Sequence, residues 1–107
     1  MATVKVMLDP TMRPAVTLDP DPLDIDCHGE TIHWVPADST STFTFVALVF
    51  NKENPFCNVV VTQKEITARD SNQCRQDHNY HIWVTDNGKY YSSEGGLTGG
   101  GPTIRNN

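Results

Sequence analysis

The sequence has few basic residues, no long apolar run and no helical periodicity. It contains 8 Lys and Arg against 13 Asp and Glu, for a net charge of −5, and no Lys or Arg occurs between Pro14 and Asn51. Nucleic-acid-binding domains need clustered Lys and Arg for phosphate contacts, so this class is excluded. No stretch approaches the roughly 18 apolar residues of a membrane helix. Residues 1–8 contain no continuous apolar region, so we expect no signal peptide and a cytoplasmic location.

The length and composition indicate a small folded domain. The chain has 107 residues, of which 37% are hydrophobic, and it contains 7 Gly and 7 Pro. This size suits one hydrophobic core, and no internal repeat divides the chain. We therefore expect a single β-sandwich domain over residues 1–107, with a flexible Gly-rich segment at 92–101.

Short segments of alternating apolar and polar residues predict strands. The segment 80–85 alternates and is followed by Asn87-Gly88, and Asn-Gly is a strong signal for a two-residue hairpin. Such segments, with turn residues about every 8–12 positions, predict an all-β antiparallel sandwich of about seven strands. The apolar positions of these segments predict the core: Leu23, Ile25, Ile32, Trp34, Phe43, Phe45, Ala47, Val49, Ile66, Tyr80, Ile82 and Val84.

Three stretches together resemble the cupredoxin-like β-sandwich family. Residues 22–35 resemble the family's hairpin, in which apolar residues alternate and an aromatic residue ends the second strand. Residues 80–84 resemble its Tyr-rich penultimate strand. Residues 90–106 resemble the end of small bacterial proteins of this fold, which often finish in a Pro-Thr-Ile-x-Asn type segment. The resemblance covers residues 20–106 and implies a cupredoxin-like or immunoglobulin-like sandwich.

The copper ligands of that family are missing at the matched positions. A type 1 copper site needs two His and one Cys thiolate, usually with a weak axial ligand. The loop at 36–43, where the family places its first His, contains none. The turn at 86–88, where the family has Cys, His and Met, contains none of the three. The resemblance therefore implies the fold without type 1 copper, without electron transfer and with no cofactor.

Cys74, His78 and His81 have the most metal-like spacing in the chain. Thiolate and imidazole ligands both suit zinc or copper. A structural zinc site needs four ligands, whereas this segment offers three. A fourth would have to come from elsewhere: His33, Cys57 or Asp77. Alternatively, His78 lies in a solvated loop and His81 on the outer face of a strand.

The three cysteines form an odd set. In a reducing cytoplasm Cys27, Cys57 and Cys74 are expected to be free thiols. If the protein is exported by another route, Cys57 with Cys74 is the preferred disulfide, because each flanks a predicted strand.

Aromatic residues around the predicted hairpin form a candidate binding face. His81 and Trp83 alternate with the core positions of segment 80–85, so we expect both to face outward. Tyr90 or Tyr91 is expected beside them across the hairpin. Exposed Trp and Tyr are enriched at binding hot spots, so His81, Trp83, Tyr90 and Tyr91 are the candidate binding residues. Alternatively, segment 4–7 or 15–18 covers this face.

The sequence therefore predicts a non-catalytic binding or self-associating module, with a protein partner or a second copy of the chain as its target. A zinc- or copper-binding protein is the first alternative. A small hydrolase is the second, since a serine and an acid could be combined with any of the four His. No Gly-x-Ser-x-Gly motif is present, so no catalytic residue is assigned.

Overall fold

The structure, a computed structural model, describes residues 2–21, 23–25, 30–38, 41–50, 56–70, 77–94 and 102–106. These residues contain ten strands and no helix. In chain order the strands are β1 (Ala2–Leu8), β2 (Val16–Asp19), β3 (Leu23–Ile25), β4 (Glu30–Pro36), β5 (Thr44–Phe50), β6 (Phe56–Val61), β7 (Ile66–Asp70), β8 (Asp77–Asp86), β9 (Lys89–Ser92) and β10 (Thr103–Asn106). The all-β prediction is confirmed. The sequence predicted about seven strands, all antiparallel. The described residues form ten, and the antiparallel prediction was wrong for two strand pairs, because short strands from distant parts of the chain also pair in parallel.

The strands form two mixed sheets that pack together. One sheet has the order β2-β1-β4-β7-β6, and the other has the order β3-β10-β8-β5, with β9 also paired to β8. Most neighbours are antiparallel, whereas β1 pairs with β4 and β10 pairs with β3 in parallel. The C-terminal strand β10 therefore lies between a strand from the first quarter of the chain and one from its last third.

The inner faces of both sheets supply one core. Ten of the twelve predicted core residues are buried; the other two, Ala47 and Val49, lie on β5. Five further buried residues were not predicted: Val4, Val6, Val16, Ala68 and Ile104. Three of these lie on β1 and β2, which belong to the sheet opposite β8. Those strands therefore pack toward the inner face of β8. The alternative that segment 4–7 or 15–18 covers the outer face of β8 was wrong.

A bulge in β5 explains why Ala47 and Val49 are not core residues. Phe45 pairs with Val84, but the next pair is Ala47 with Trp83, so Val46 is an extra residue in β5. An extra residue reverses the alternation of the positions that follow it. Val49 is consequently 44% exposed, and Leu48 and Phe50 pack against the core in its place. Predicting a core position for Val49 was wrong because strict alternation was assumed.

The hairpin between β8 and β9 has the predicted turn. Asp86 pairs with Lys89, and the two residues between them, Asn87 and Gly88, have φ values of 53° and 77°. Positive φ at both central positions is the requirement of a type I′ turn, which Asn-Gly meets at low steric cost. This turn sets the register of every cross-strand pair that follows.

Of the predicted Gly-rich segment at 92–101, only residues 92–94 are described. Ser92 ends β9, and the amide of Ser93 donates to the carbonyl of Ile82 at 3.1 Å. The beginning of this segment is therefore part of the sheet. The part of the chain that the structure describes has no helix long and apolar enough to cross a membrane.

Candidate functional site

The outer face of the β5–β8–β9 sheet is the candidate site. Tyr80, Ile82 and Val84 of β8 are buried in the core, so the residues between them lie on the opposite side of the sheet. Their cross-strand partners share that side. We call this surface the Trp83 face and define it by its outward-facing residues: Ala47, Val49, His81, Trp83, Thr85, Tyr90 and Ser92.

Trp83 lies at the centre of this face between two small side chains. Ala47 is its partner on β5, and Ser92 is its partner on β9. Neither side chain is large enough to cover an indole ring. The indole N–H has no hydrogen-bond partner among the described residues. Trp83 is thus half-buried in the sheet, with an accessible ring surface and an available donor.

The two tyrosines lie on opposite sides of β9. Tyr90 pairs with Thr85 on the outer side and is 67% exposed, whereas Tyr91 pairs with the core residue Val84. Tyr91 packs against the core. The two-residue turn produces this division, because it places the even-numbered positions of β9 outward. Tyr90 therefore contributes to the Trp83 face, and Tyr91 does not.

His81 belongs to the outer side of β8, but its side chain is covered. It is only 6% exposed. Its Nδ1 lies 3.1 Å from the Ser93 hydroxyl, and its Nε2 lies 3.9 Å from the Glu94 carboxylate. The Ser93 hydroxyl also accepts the amide N–H of Ile82 at 3.1 Å. A hydroxyl oxygen that accepts one N–H can direct its own hydrogen to Nδ1, which favours the His81 tautomer with its proton on Nε2, toward Glu94.

This cluster has the connectivity of an activated nucleophile: hydroxyl, imidazole, carboxylate. Ser93 is 3% exposed, and its oxygen is already occupied by the Ile82 amide. These contacts hold Ser93 and Glu94, which follow β9, against β8. No local pattern in the sequence indicates this role, since His81 and Ser93 are twelve residues apart.

The predicted metal ligands are separated in the described part of the chain. Cys74 lies outside the described residues. His78 and His81 are three positions apart on an extended strand, so their side chains leave opposite sides of β8. His78 is buried, and its Nε2 has no hydrogen-bond partner among the described residues.

The proposed fourth ligands are also dispersed. His33 lies in the other sheet, where its Nε2 is 3.0 Å from the Glu65 carboxylate. Cys57 is in β6 of that sheet, and Asp77 begins β8; their side chains are not described. Among the described residues no group of three or more His, Cys, Asp or Glu could hold a metal ion. The predicted disulfide between Cys57 and Cys74 falls partly outside the described residues.

Comparison with known proteins identifies no family for this chain. The sequence matches no protein-family model, and a search of curated proteins finds no similar sequence.

Proposed function

We propose that this chain is a non-catalytic binding or self-associating module that uses the Trp83 face as its contact surface. The observation that carries the proposal is the position of Trp83 between Ala47 and Ser92. A large aromatic ring with small cross-strand neighbours presents apolar area together with an N–H donor that has no partner among the described residues. Trp and Tyr with this combination of apolar body and polar group are enriched at protein interfaces.

Exposed apolar side chains extend this surface. Val46 and Val49 of β5 and Tyr90 of β9 are all among the exposed large hydrophobic residues. They lie on the strands that flank β8 on both sides. We infer that these side chains form one apolar area with Trp83, and such an area on a small protein is typical of an interaction site. The sequence predicted His81 as a binding residue. In this proposal the buried His81 side chain supports the surface by contacting Ser93 and Glu94.

The proposal includes a fold type and a setting. We propose a cupredoxin-like or immunoglobulin-like sandwich without type 1 copper, in a small bacterial protein that works in the cytoplasm. Two packed, mixed β-sheets support the sandwich. The lack of His in the loop at 36–43 and of Cys, His and Met in the turn at 86–88 supports the absence of type 1 copper.

A zinc- or copper-binding protein is the second candidate. One observation favours it: the buried Nε2 of His78 has no hydrogen-bond partner in the described part of the chain, and a buried polar atom is costly unless something satisfies it. The opposite orientations of His78 and His81 on β8 argue against a shared ion. We therefore place this candidate second.

The test of the proposed function is the NMR spectrum of the protein during dilution and during titration with short peptides. We expect one of these series to shift the indole N–H signal of Trp83 and the amide signals near Tyr90. The Trp83→Ala variant should lose the response without unfolding. Val60→Ala is the matched control, since Val60 is an exposed apolar residue of the other sheet. If neither dilution nor basic, acidic or apolar peptides move these signals, the proposed function is wrong.

A further inference from the structure

Charge around the Trp83 face indicates which kind of partner it fits. We propose that the partner is an extended basic segment, with an arginine stacked on Trp83 and paired with Glu94, and not a second copy of this chain. This inference rests on the proposed function and narrows it to one class of partner.

Glu94 is held at the edge of the Trp83 face. Its amide N–H donates to the hydroxyl of Ser92 at 3.1 Å, and Ser92 is the cross-strand partner of Trp83. Its carboxylate lies 3.9 Å from Nε2 of His81, the residue two positions before Trp83 on β8. The distance is too long for a hydrogen bond, and the side chain remains 53% exposed. The carboxylate can therefore accept hydrogen bonds from a partner.

Tyr90 supplies a second aromatic ring on the other side of Ser92. Alternate residues of a strand are about 7 Å apart on the same face. Trp83 thus has Tyr90 diagonally on one side and Glu94 near the other. A guanidinium group is planar, stacks on aromatic rings and donates in pairs to carboxylates. Trp83, Tyr90 and Glu94 together offer both kinds of contact to one arginine.

The remaining charges near the face leave it acidic. Asp86 and Lys89 are directly opposite each other at the hairpin turn and offset one another. The Asp86 carboxylate also accepts the Thr42 hydroxyl at 2.9 Å. Residues 41–50, which include β5, contain no charged residue at all. Glu94 therefore presents an exposed carboxylate on the described part of this surface, with Nε2 of His81 as its neighbour at 3.9 Å.

The same charges disfavour a second copy as the occupant. In a two-fold dimer each partner presents the same patch, so two Glu94 carboxylates would approach without an available cation between them. Each chain also has a net charge of −5, and like charges suppress association. A basic segment brings no second Glu94 carboxylate and no negative net charge, so neither repulsion opposes its binding.

The experiment titrates the full chain with a tetra-arginine peptide, with tetra-glutamate as the comparison peptide. NMR follows the Trp83 indole N–H and the backbone amide signals near Tyr90, and the amide signals alone in the variant that lacks Trp83. We expect tetra-arginine to bind, with an affinity that falls as salt rises. Glu94→Gln and Trp83→Leu should each weaken binding by about five-fold, the size expected for one exposed charge or cation–π contact. Glu65→Gln is the matched control, because Glu65 is a similarly exposed acid in the turn between β6 and β7 of the other sheet. It should leave the affinity unchanged.

Three results would overturn this inference while the proposed function survives. One is equal binding of tetra-glutamate. Another is an equal loss in Glu65→Gln and Glu94→Gln, which would indicate attraction by net charge alone. The third is a shift of the Trp83 signal on dilution without peptide, which would identify a second copy as the partner. If no peptide and no dilution moves the signal, this inference and the proposed function both fail.

Discussion

The two tryptophans of this chain lie in different sheets and in opposite environments. Trp34 on β4 is fully buried, and its Nε1–H donates to the hydroxyl of Tyr80 at 3.2 Å. The two rings meet edge to face, with centroids 5.7 Å apart. Trp83 on β8 is half-buried, lies between Ala47 and Ser92, and has no hydrogen-bond partner among the described residues. The same residue type thus stabilises the core at one position and remains available for contacts at the other.

The comparison shows that the neighbours of a tryptophan define its role. Trp34 has a designated acceptor for its donor and an aromatic partner from the opposite sheet, which is the arrangement expected for a buried indole. Trp83 follows the buried Ile82 and precedes the buried Val84, so alternation itself turns it outward. With small cross-strand neighbours, Trp83 is half-buried and not fully buried like Trp34.

Replacing each tryptophan by alanine should separate the two roles most strongly. Trp34→Ala removes a fully buried ring and the donor to Tyr80, so we expect a loss of about 3–5 kcal/mol in the free energy of unfolding. Trp83→Ala should cost less than about 1 kcal/mol, because the ring is on the outer side of the sheet. Urea denaturation of both variants measures the difference. Equal losses would show that Trp83 is a core residue and that the two tryptophans do not have different roles.

Tyr80, the hydrogen-bond partner of Trp34, makes the stability of the core around Trp34 depend on pH. Burial raises the pKa of Tyr80 strongly, the hydrogen bond from Trp34 partly opposes this, and the charge of Asp21 adds to it. In the unfolded chain a tyrosine ionises near its ordinary pKa of 10.0, whereas folded Tyr80 keeps its proton. Its contribution to stability is therefore complete below pH 10 and is lost as the pH rises above that value, by up to about 1.4 kcal/mol per pH unit.

The Tyr80→Phe variant should reduce this alkaline loss. Urea denaturation across the alkaline range, compared with the unmodified chain, measures the change in slope. At neutral pH the variant should also be less stable by about 1–3 kcal/mol, because the buried Trp34 N–H loses its acceptor. Trp83→Ala is the control, since it removes no titrating group and should keep the alkaline slope. An unchanged slope in Tyr80→Phe would contradict the assignment.

The smallest effect is expected at an exposed turn after β1. The Thr11 hydroxyl and amide both donate to the Asp9 carboxylate, at 2.6 Å and 3.0 Å, and these bonds lower the pKa of Asp9. A lowered pKa stabilises the folded chain above the ordinary value of 3.8, and this contribution is lost as the pH falls. Thr11→Ala should raise the pKa of Asp9 in an NMR titration while the fold persists. An identical titration curve would show that the hydroxyl contributes nothing.

Much of the fold was predictable from local patterns. Alternation in segment 80–85 correctly predicted the buried Tyr80, Ile82 and Val84 and the outward Trp83. Asn87-Gly88 correctly predicted the hairpin, since the turn chemistry is contained in two residues. These features depend only on neighbours in the chain, which is why the sequence is sufficient to predict them.

Features that depend on distant strands were not predictable. The bulge at Val46 is defined only by how β5 pairs with β8, and it moves Val49 out of the core. The choice between Tyr90 and Tyr91 as the exposed tyrosine depends on the register of the hairpin. The burial of His81 results from Ser93 and Glu94 folding back onto β8, and no periodicity in the sequence indicates that contact.

Local sequence is enough to specify that the chain forms strands, which side chains alternate, and where one tight turn lies. These properties arise from the two-residue period of a strand and from the conformations open to Asn and Gly. Long-range pairing specifies which strands share a sheet, that β10 lies between β3 and β8, and that Trp83 has small neighbours on both sides. Pairing between strands joins residues far apart in the chain, so its outcome depends on the packing of the whole core and not on any single segment.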